Sequence, residues 1–206
     1  HPYVLGVFLG DGHIKGGNVS ISSADIDLVD RFNELLPNGY CAIKRRYSKY
    51  DYDVSKTDYI DRMAGGHHPN QVTEILKELG VYGLLSLDKF IPDAYKFSSV
   101  ETRLEILRGL FDTDGSVWMT KKCPVVEFST SSYRLARDVQ FIIQSLGGKT
   151  KIKRRGTNCN DSYRLIPSFP VGINPFFLPR KASLYKGPQK YLPRRSIRNI
   201  EHIGNA

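Results

Sequence analysis

Apolar and polar residues alternate along this 206-residue chain with helical spacing in some stretches and strand spacing in others. The first stretch, Val4-Leu5-Gly6-Val7-Phe8-Leu9-Gly10-Asp11-Gly12, is a helix-like apolar run that closes on an Asp-Gly pair. A second, Leu107-Arg108-Gly109-Leu110-Phe111-Asp112-Thr113-Asp114-Gly115, repeats the device. Each carries small residues four positions apart, Gly6 with Gly10 and Gly109 with Thr113. On a helix that spacing clears one face for the close approach of another backbone. Two such helices, packed together, would bring Asp11 and Asp114 to one end.

The segments between are punctuated by turns. Residues 13–23 read as a hairpin turning at Gly16-Gly17-Asn18, with Val19 and Ile21 alternating against Ser20 and Ser22. Ser23 is placed to cap a helix reaching Leu36, with Leu28, Val29, Phe32, Leu35 and Leu36 on one apolar face. A strand is expected over 41–47, then a loop rich in Tyr and Asp, a strand over 58–64, and a helix over 69–79 stopped by Gly80. The second half replays this order. Its helix spans 102–113, its hairpin spans 117–130 with a turn at Lys121-Lys122-Cys123-Pro124, and a helix over 132–146 presents Leu135, Val139, Ile142 and Ile143.

Asp11 and Asp114 are 103 residues apart, Leu28 and Leu135 are 107 apart, and Ile43 and Ile152 are 109 apart. Four identical residues, Ile43-Lys44-Arg45-Arg46 and Ile152-Lys153-Arg154-Arg155, mark the repeat most sharply. A tandem duplication accounts for this drift with one longer hairpin and one small loop change. Each repeat then runs helix, hairpin, helix, two strands, helix: an α+β arrangement with a largely antiparallel sheet and helices on one face. The other face must meet something polar. Lys149, Lys151, Lys153 and Arg155 alternate onto one side after Gly148, and Lys44 with Arg46 are expected to do the same in the first repeat. Such a face suits a phosphate backbone or a major groove.

Charge sharpens the picture because it is unevenly divided. Residues 1–100 hold 11 Lys/Arg against 13 Asp/Glu, whereas residues 101–206 hold 19 against 8. A basic half of this kind suits a polyanion, since Lys and Arg displace counterions condensed on phosphates. No apolar run approaches the roughly 18 residues of a membrane span, and no signal pattern opens the chain, so a cytoplasmic protein is expected. Cys41, Cys123 and Cys159 form no Cys-x-x-Cys pair and suggest reduced thiols, with neither a disulfide framework nor a zinc site. His13 and His67-His68 lack the spacing of a metal site.

The two Asp-Gly runs resemble the signature helices of the LAGLIDADG homing endonucleases, in the single-chain form with two motif copies. The second copy matches at Gly109, Leu110, Asp112, Asp114 and Gly115; the first has Leu9 at the earlier acidic position and keeps Asp11 at the later one. The resemblance implies two pseudo-symmetric αββαββα repeats with saddle-shaped antiparallel sheets, over 1–98 and 99–190. It implies a monomer that grips double-stranded DNA and cuts both strands by divalent-metal-dependent hydrolysis, leaving short 3′ overhangs. Mg²⁺ is the implied cation, with Mn²⁺ substituting and Ca²⁺ binding without cleavage. Asp11 and Asp114 are the implied catalytic metal ligands, with Gly10 and Thr113 as further metal-binding residues. Lys89, in Asp88-Lys89-Phe90-Ile91-Pro92, falls where family members carried in inteins have a catalytic lysine; Lys181 is the choice for the second, with Lys186 in reserve. Lys15, Lys44, Arg45, Arg46, Arg62, Lys121, Lys122, Lys149, Lys151, Lys153, Arg154, Arg155 and Arg164 are the expected DNA contacts. Residues 191–206 resemble the return into an intein splicing domain, to which the chain would be fused.

The chemistry agrees with that expectation. Phosphodiester hydrolysis needs an activated water and stabilised phosphoryl oxygens, and a divalent cation provides both. Mg²⁺ keeps several waters, so one carboxylate per half plus substrate phosphates is an adequate site. Helix C-termini favour a cation further. One Asp-Gly alone is an ordinary turn; two copies in a repeat are not. The rival is a non-cleaving DNA-binding protein, or an RNA maturase, on the same fold.

Overall fold

The computed structural model describes residues 1–57, 70–121, 123–156, 161–185 and 201. Both motif runs are helices. Helix α1 (Pro2–Leu9) begins with Pro2 near its N-terminus, where a missing N–H costs nothing, and ends at Gly10. Strands β1 (Gly12–His13) and β2 (Ser20–Ser22) follow, then α2 (Ile26–Glu34), β3 (Tyr40–Lys44), β4 (Asp51–Lys56) and α3 (Gln71–Glu78). A short helix α4 (Asp93–Lys96) leads to the second motif helix α5 (Val100–Thr113), capped by Ser99 on the N–H of Thr102 at 3.2 Å. Strands β5 (Gly115–Met119) and β6 (Pro124–Thr130), helix α6 (Tyr133–Ser145), strands β7 (Ile152–Arg155) and β8 (Ser162–Leu165), and helix α7 (Pro179–Ala182) complete the order.

The two sheets have matching strand orders, β1-β2-β4-β3 and β5-β6-β8-β7, and every pairing is antiparallel. This is the α+β architecture of two pseudo-repeats. Helices α2 and α6 present corresponding apolar sets: Leu28, Val29 and Phe32 are buried in one, with Leu36 just past its C-cap rather than inside the helix as the sequence suggested, and Leu135, Ala136, Val139 and Ile143 in the other. Phe8 packs edge-on to Phe32 with centroids 5.3 Å apart, and Phe111 stacks on Phe128 at the same distance. The motif helices therefore belong to one core shared by both repeats.

Several sequence expectations shift. Ser23 does not cap α2; Asp25 is the cap residue, and the Ser23 hydroxyl instead accepts from the Asp25 N–H at 3.1 Å, turning the chain just before the helix. The strand expected over 41–47 stops at Lys44, and part of the expected Tyr/Asp loop is β4. Its alternation was present in the sequence: Tyr52 and Val54 point into the core while Asp51, Asp53 and Ser55 point out. The expected strand at 58–64, His67, His68, Cys159, Arg62, Lys122, Lys186 and the 191–206 segment lie outside the described residues, except for Glu201.

The repeated tetrapeptide is corrected by the pairing register. Ile152 lies opposite Leu165, which is fully buried, so Ile152 faces the helices; Ile43 lies opposite Asp53 on the open face, beside the Ala42–Val54 pair that faces the core through the fully buried Val54. The two copies are one residue out of phase, and a shift of one turns every side chain to the other face. Their identity in sequence is not an equivalence in space. Lys153, Arg155 and Arg164 share the open face of the second sheet, as the alternation predicts. Lys44 lies opposite Tyr52 on the helix side of the first sheet, and Arg46 lies beyond the end of β3, contrary to the expected face.

Candidate active site

Helices α1 and α5 cross with their backbones nearly touching. A Cβ on Gly109 would stand 2.8 Å from the Val7 nitrogen and 2.9 Å from the Gly6 Cα, and closer still to the Tyr3 carbonyl oxygen. Gly6 faces Ile106 and Leu110 in the same way, and Gly10 leaves the space that the Thr113 side chain fills. Only small residues permit this crossing, so the spacing seen in sequence has its predicted cause. It sets the two chain exits side by side: Asp114 is the C-cap of α5, and Asp11 follows Gly10 at the end of α1. The exits are also tied alike, since the Asp11 carbonyl accepts from the Ser22 N–H at 3.3 Å and the Asp114 carbonyl from the Ser129 N–H at 3.4 Å.

Asp11, Asp114, Gly10 and Lys89 line one cavity of about 280 Å³, with Leu9, Ser86, Ser129, Ser131 and Ser162 in its wall. Burial pushes the Asp114 carboxyl up to about 7, the nearby Asp11 charge adds to the rise, and Lys89 and Lys181 oppose it. Asp11 is also raised, by burial first, against the pull of the same two lysines. Two partly desolvated carboxylates that repel each other form a site which a divalent cation would relieve. The donor set fits a hard, oxygen-seeking cation. Among the described residues no group of three His, Cys, Asp or Glu gathers, so the remaining ligands would come from water, carbonyls and substrate.

The two lysines occupy matching places. Lys89 Nζ donates to the carbonyls of Phe8, Gly10 and Gly12 at 3.0, 2.8 and 3.0 Å. Lys181 Nζ donates to those of Phe111, Asp112 and Gly115 at 2.9, 2.6 and 2.6 Å. Each ammonium thus satisfies carbonyls at the C-terminal end of the motif helix of its own repeat, where the helix dipole is negative. Burial draws both down, Lys181 to about 8, while neighbouring carboxylates oppose the fall. Three carbonyl acceptors apiece hold the charged form in place. Gly10 therefore has its carbonyl engaged by Lys89, and the Thr113 hydroxyl donates back to the Gly109 carbonyl at 3.0 Å.

The expected DNA contacts divide by environment. Lys15, Lys121, Lys151, Lys153, Arg155 and Arg46 are exposed, and Lys149 is half-buried where it bridges to Ser168. Arg45 is held by Asp53 through bonds of 2.6 and 2.9 Å, Arg154 by Asp161, and Arg164 sits 3.4 Å from Glu127. Nearby acids thus partly neutralise basic residues in both repeats, Asp53 in the first and Asp161 and Glu127 in the second. A groove of about 600 Å³ lined by Asn18, Ile43, Arg45, Asp51 and Asp53 runs along the first sheet's open face.

Residues 101–168 match the LAGLIDADG-like domain family. The chain has the fold of the homing endonuclease I-DmoI: I-DmoI in complex with DNA and calcium aligns with TM-score 0.52 at 14% identity, over 88% of this chain and 94% of that one. An I-DmoI variant in complex with its target DNA and magnesium aligns with TM-score 0.53 at 12% identity, over 81% and 87%. Relatives by sequence carry other names. The replicative DNA helicase DnaB of Nostoc sp. is 31% identical over 84% of this chain, and that of Mycobacterium intracellulare 31% over 88%. The ATP-dependent DNA helicase Hel308 of Methanocaldococcus jannaschii is 25% identical over 75%. The chain spans only 19%, 25% and 12% of those three proteins.

Sequence reasoning missed the contacts that hold the segments around Lys89 and Lys181 in place. Asp112 accepts from the Tyr3 hydroxyl at 2.9 Å and from the N–H groups of Phe177 and Leu178 at 3.2 Å. Burial pushes its carboxyl up to about 6 against the pull of these donors. Asp138 and Ser132 do the corresponding work near Lys89. A lone Asp inside an otherwise apolar helix face was the one available signal for Asp138.

Proposed function

We propose that the chain is a site-specific double-strand DNA endonuclease of the LAGLIDADG type. The observation that carries this reading is the convergence of Asp11 and Asp114, one from each repeat, in a cavity edged by Lys89. A pure binding module has no need to set two mutually repelling carboxylates together between two sheets. Asp11 and Asp114 would hold Mg²⁺, with Mn²⁺ able to replace it and Ca²⁺ binding without cleavage. When bound, such a cation lowers the pKa of its water and stabilises charge on phosphoryl oxygens. The residues themselves hold the cation, orient the scissile phosphates between the repeats and, through Lys89 and Lys181, fix the helix ends that carry the carboxylates. With both carboxylates in one chain, the active form is a monomer acting on DNA inside the cell.

The open faces of the sheets supply the grip. Lys151, Lys153 and Arg155 favour phosphates on the second repeat, and Arg45 beside Asp53 favours base edges on the first. The repeats run over 1–98 and 99–190. A segment shared by two differently named helicases, and covering a quarter or less of each, fits an insertion; an intein-borne endonuclease, fused to a splicing domain through 191–206, accounts for it. Splicing is not assigned to these residues.

The test is incubation with duplex DNA carrying an uninterrupted helicase-gene insertion site, in Mg²⁺, in Ca²⁺ and in EDTA. Double-strand cleavage with short 3′ overhangs in Mg²⁺ alone is expected. Tight binding without cleavage in Mg²⁺ would favour the non-cleaving reading.

A further inference from the structure

Each lysine caps the motif helix of its own repeat, and the segment around it is also tied to the other repeat. Lys181 lies in the second repeat, yet the segment around it is tied to the first: Arg180 makes two 2.6 Å bonds to Asp25, and the Arg31 guanidinium lies 4.8 Å from the Phe177 ring centre. Lys89 lies in the first repeat, and its segment is tied to the second. The Ser132 hydroxyl donates to the Lys89 carbonyl at 2.6 Å, and Asp138 accepts from the Ile91 N–H and from Lys96 Nζ, both at 2.9 Å. Asp25 and Ser132, like Arg31 and Asp138, are 107 residues apart, the offset that relates Leu28 to Leu135. The two clasps are therefore built from equivalent positions on α2 and α6.

One difference separates them. In the Lys181 segment the free backbone N–H groups of Phe177 and Leu178 go to Asp112, on the motif helix that Lys181 itself caps. The residue in that place on the first motif helix is Leu9, fully buried and without an acceptor. The Ile91 N–H, two residues from Lys89, is buried too and needs a partner. It finds the carboxylate of Asp138 across the repeat boundary. We propose that Asp138 is a positioning residue for Lys89, holding the Lys89 segment from the second repeat through the Ile91 N–H and Lys96.

The assignment of an effect on cleavage rests on the endonuclease reading; the placement of Lys89 does not. Two measurements on the full chain separate them. In the first, reductive methylation with formaldehyde and borohydride is followed residue by residue by mass spectrometry. Asp138→Ala should raise the rate at Lys89 about tenfold, the effect of losing one buried hydrogen bond of ordinary strength, and leave Lys181 unchanged. Lys96→Met, which removes the ion pair but spares the Ile91 bond, should leave Lys89 protected. Where Asp138→Ala does not fold, Asp138→Leu, which has similar bulk and no acceptor, carries the same expectation. Equal acceleration at both lysines, or none at Lys89, overturns the proposal.

In the second measurement, a duplex recovered by cleavage from a randomised library is labelled on each strand in turn. Asp138→Ala should slow the strand that Lys89→Met slows, so that nicked product accumulates, and spare the other strand. Equal slowing of both strands overturns the positioning role, because general loosening has no strand preference. If the wild-type chain cuts no duplex, the endonuclease reading fails while the methylation result still decides where Asp138 acts.

Discussion

The Tyr3 hydroxyl donates to the Asp112 carboxylate over 2.9 Å, a buried hydrogen bond that joins the two motif helices across the repeat boundary. Tyr3 has no exposed surface and Asp112 almost none, so neither group has water as an alternative partner. Tyr3→Phe should therefore destabilise the chain by about 1.5–3 kcal/mol, the range for hydrogen bonds to charged groups. Urea denaturation with an unchanged m-value would measure it, and a loss below about 0.5 kcal/mol would show that the bond contributes little to folding.

Gly109→Ala tests the helix crossing directly. The added Cβ would meet the backbone of α1, which cannot move aside as a side chain can. A loss of at least about 1–3 kcal/mol is expected, with DNA affinity falling as the two repeats are forced apart. An unchanged melting temperature would mean that the helices do not cross at this point.

Asp11→Asn and Asp114→Asn should each abolish cleavage of both strands or leave a nick, while DNA affinity stays within about tenfold because the phosphate grip lies on the sheets. Direct cleavage and gel-shift assays on the same preparations separate the two effects. Retained cleavage in both variants would remove the carboxylates from the chemistry.

The register of β7 predicts opposite outcomes for adjacent residues. Lys153→Glu and Arg155→Glu, on the open face, should weaken DNA binding and flatten the dependence of log K on log salt by about one unit for each phosphate no longer neutralised. Arg154→Ala should leave the slope unchanged, since Arg154 lies on the other face and is paired with Asp161. Equal effects from all three would place the strand differently on DNA.

Asp25 and Arg180 give a pH-dependent tie between the repeats. The hydrogen bond from Arg180 lowers the Asp25 carboxyl below its ordinary 3.8, so the pair stabilises the fold above about pH 4 and the contribution is lost as pH falls through the lowered value. Both side chains are part-exposed, which limits the gain to less than about 1 kcal/mol. Asp25→Asn should lie below wild type by that margin between pH 5 and 8 and converge with it well below pH 4 in parallel melts. A gap that persisted in acid would point to a packing effect instead.

The paired Asp-Gly runs, the small residues four apart and the recurrence of α2 in α6 were all legible in the chain, because helix packing depends on local spacing that any single turn displays. The tetrapeptide at Ile43 and Ile152 looked equally clear and was misleading. Strand facing depends on which residue lies opposite, and only the pairing with Asp53 in one sheet and Leu165 in the other decides it. Asp112 was visible as a motif residue, but its donors come from Tyr3 and from Phe177 and Leu178, distant in sequence from it and from each other. Asp138 gave little beyond one acid on an apolar face.

By itself, then, the sequence determined the two motif helices, their closing aspartates, the duplication and the location of the basic half. The tertiary structure alone decided that Lys89 and Lys181 cap the ends of their own motif helices, that the segment around each is also tied to the opposite repeat, and that Asp138 accepts from the Ile91 N–H beside Lys89. The physical reason is that local spacing is written in consecutive residues, whereas a buried N–H can be satisfied by any acceptor the fold brings within hydrogen-bonding distance.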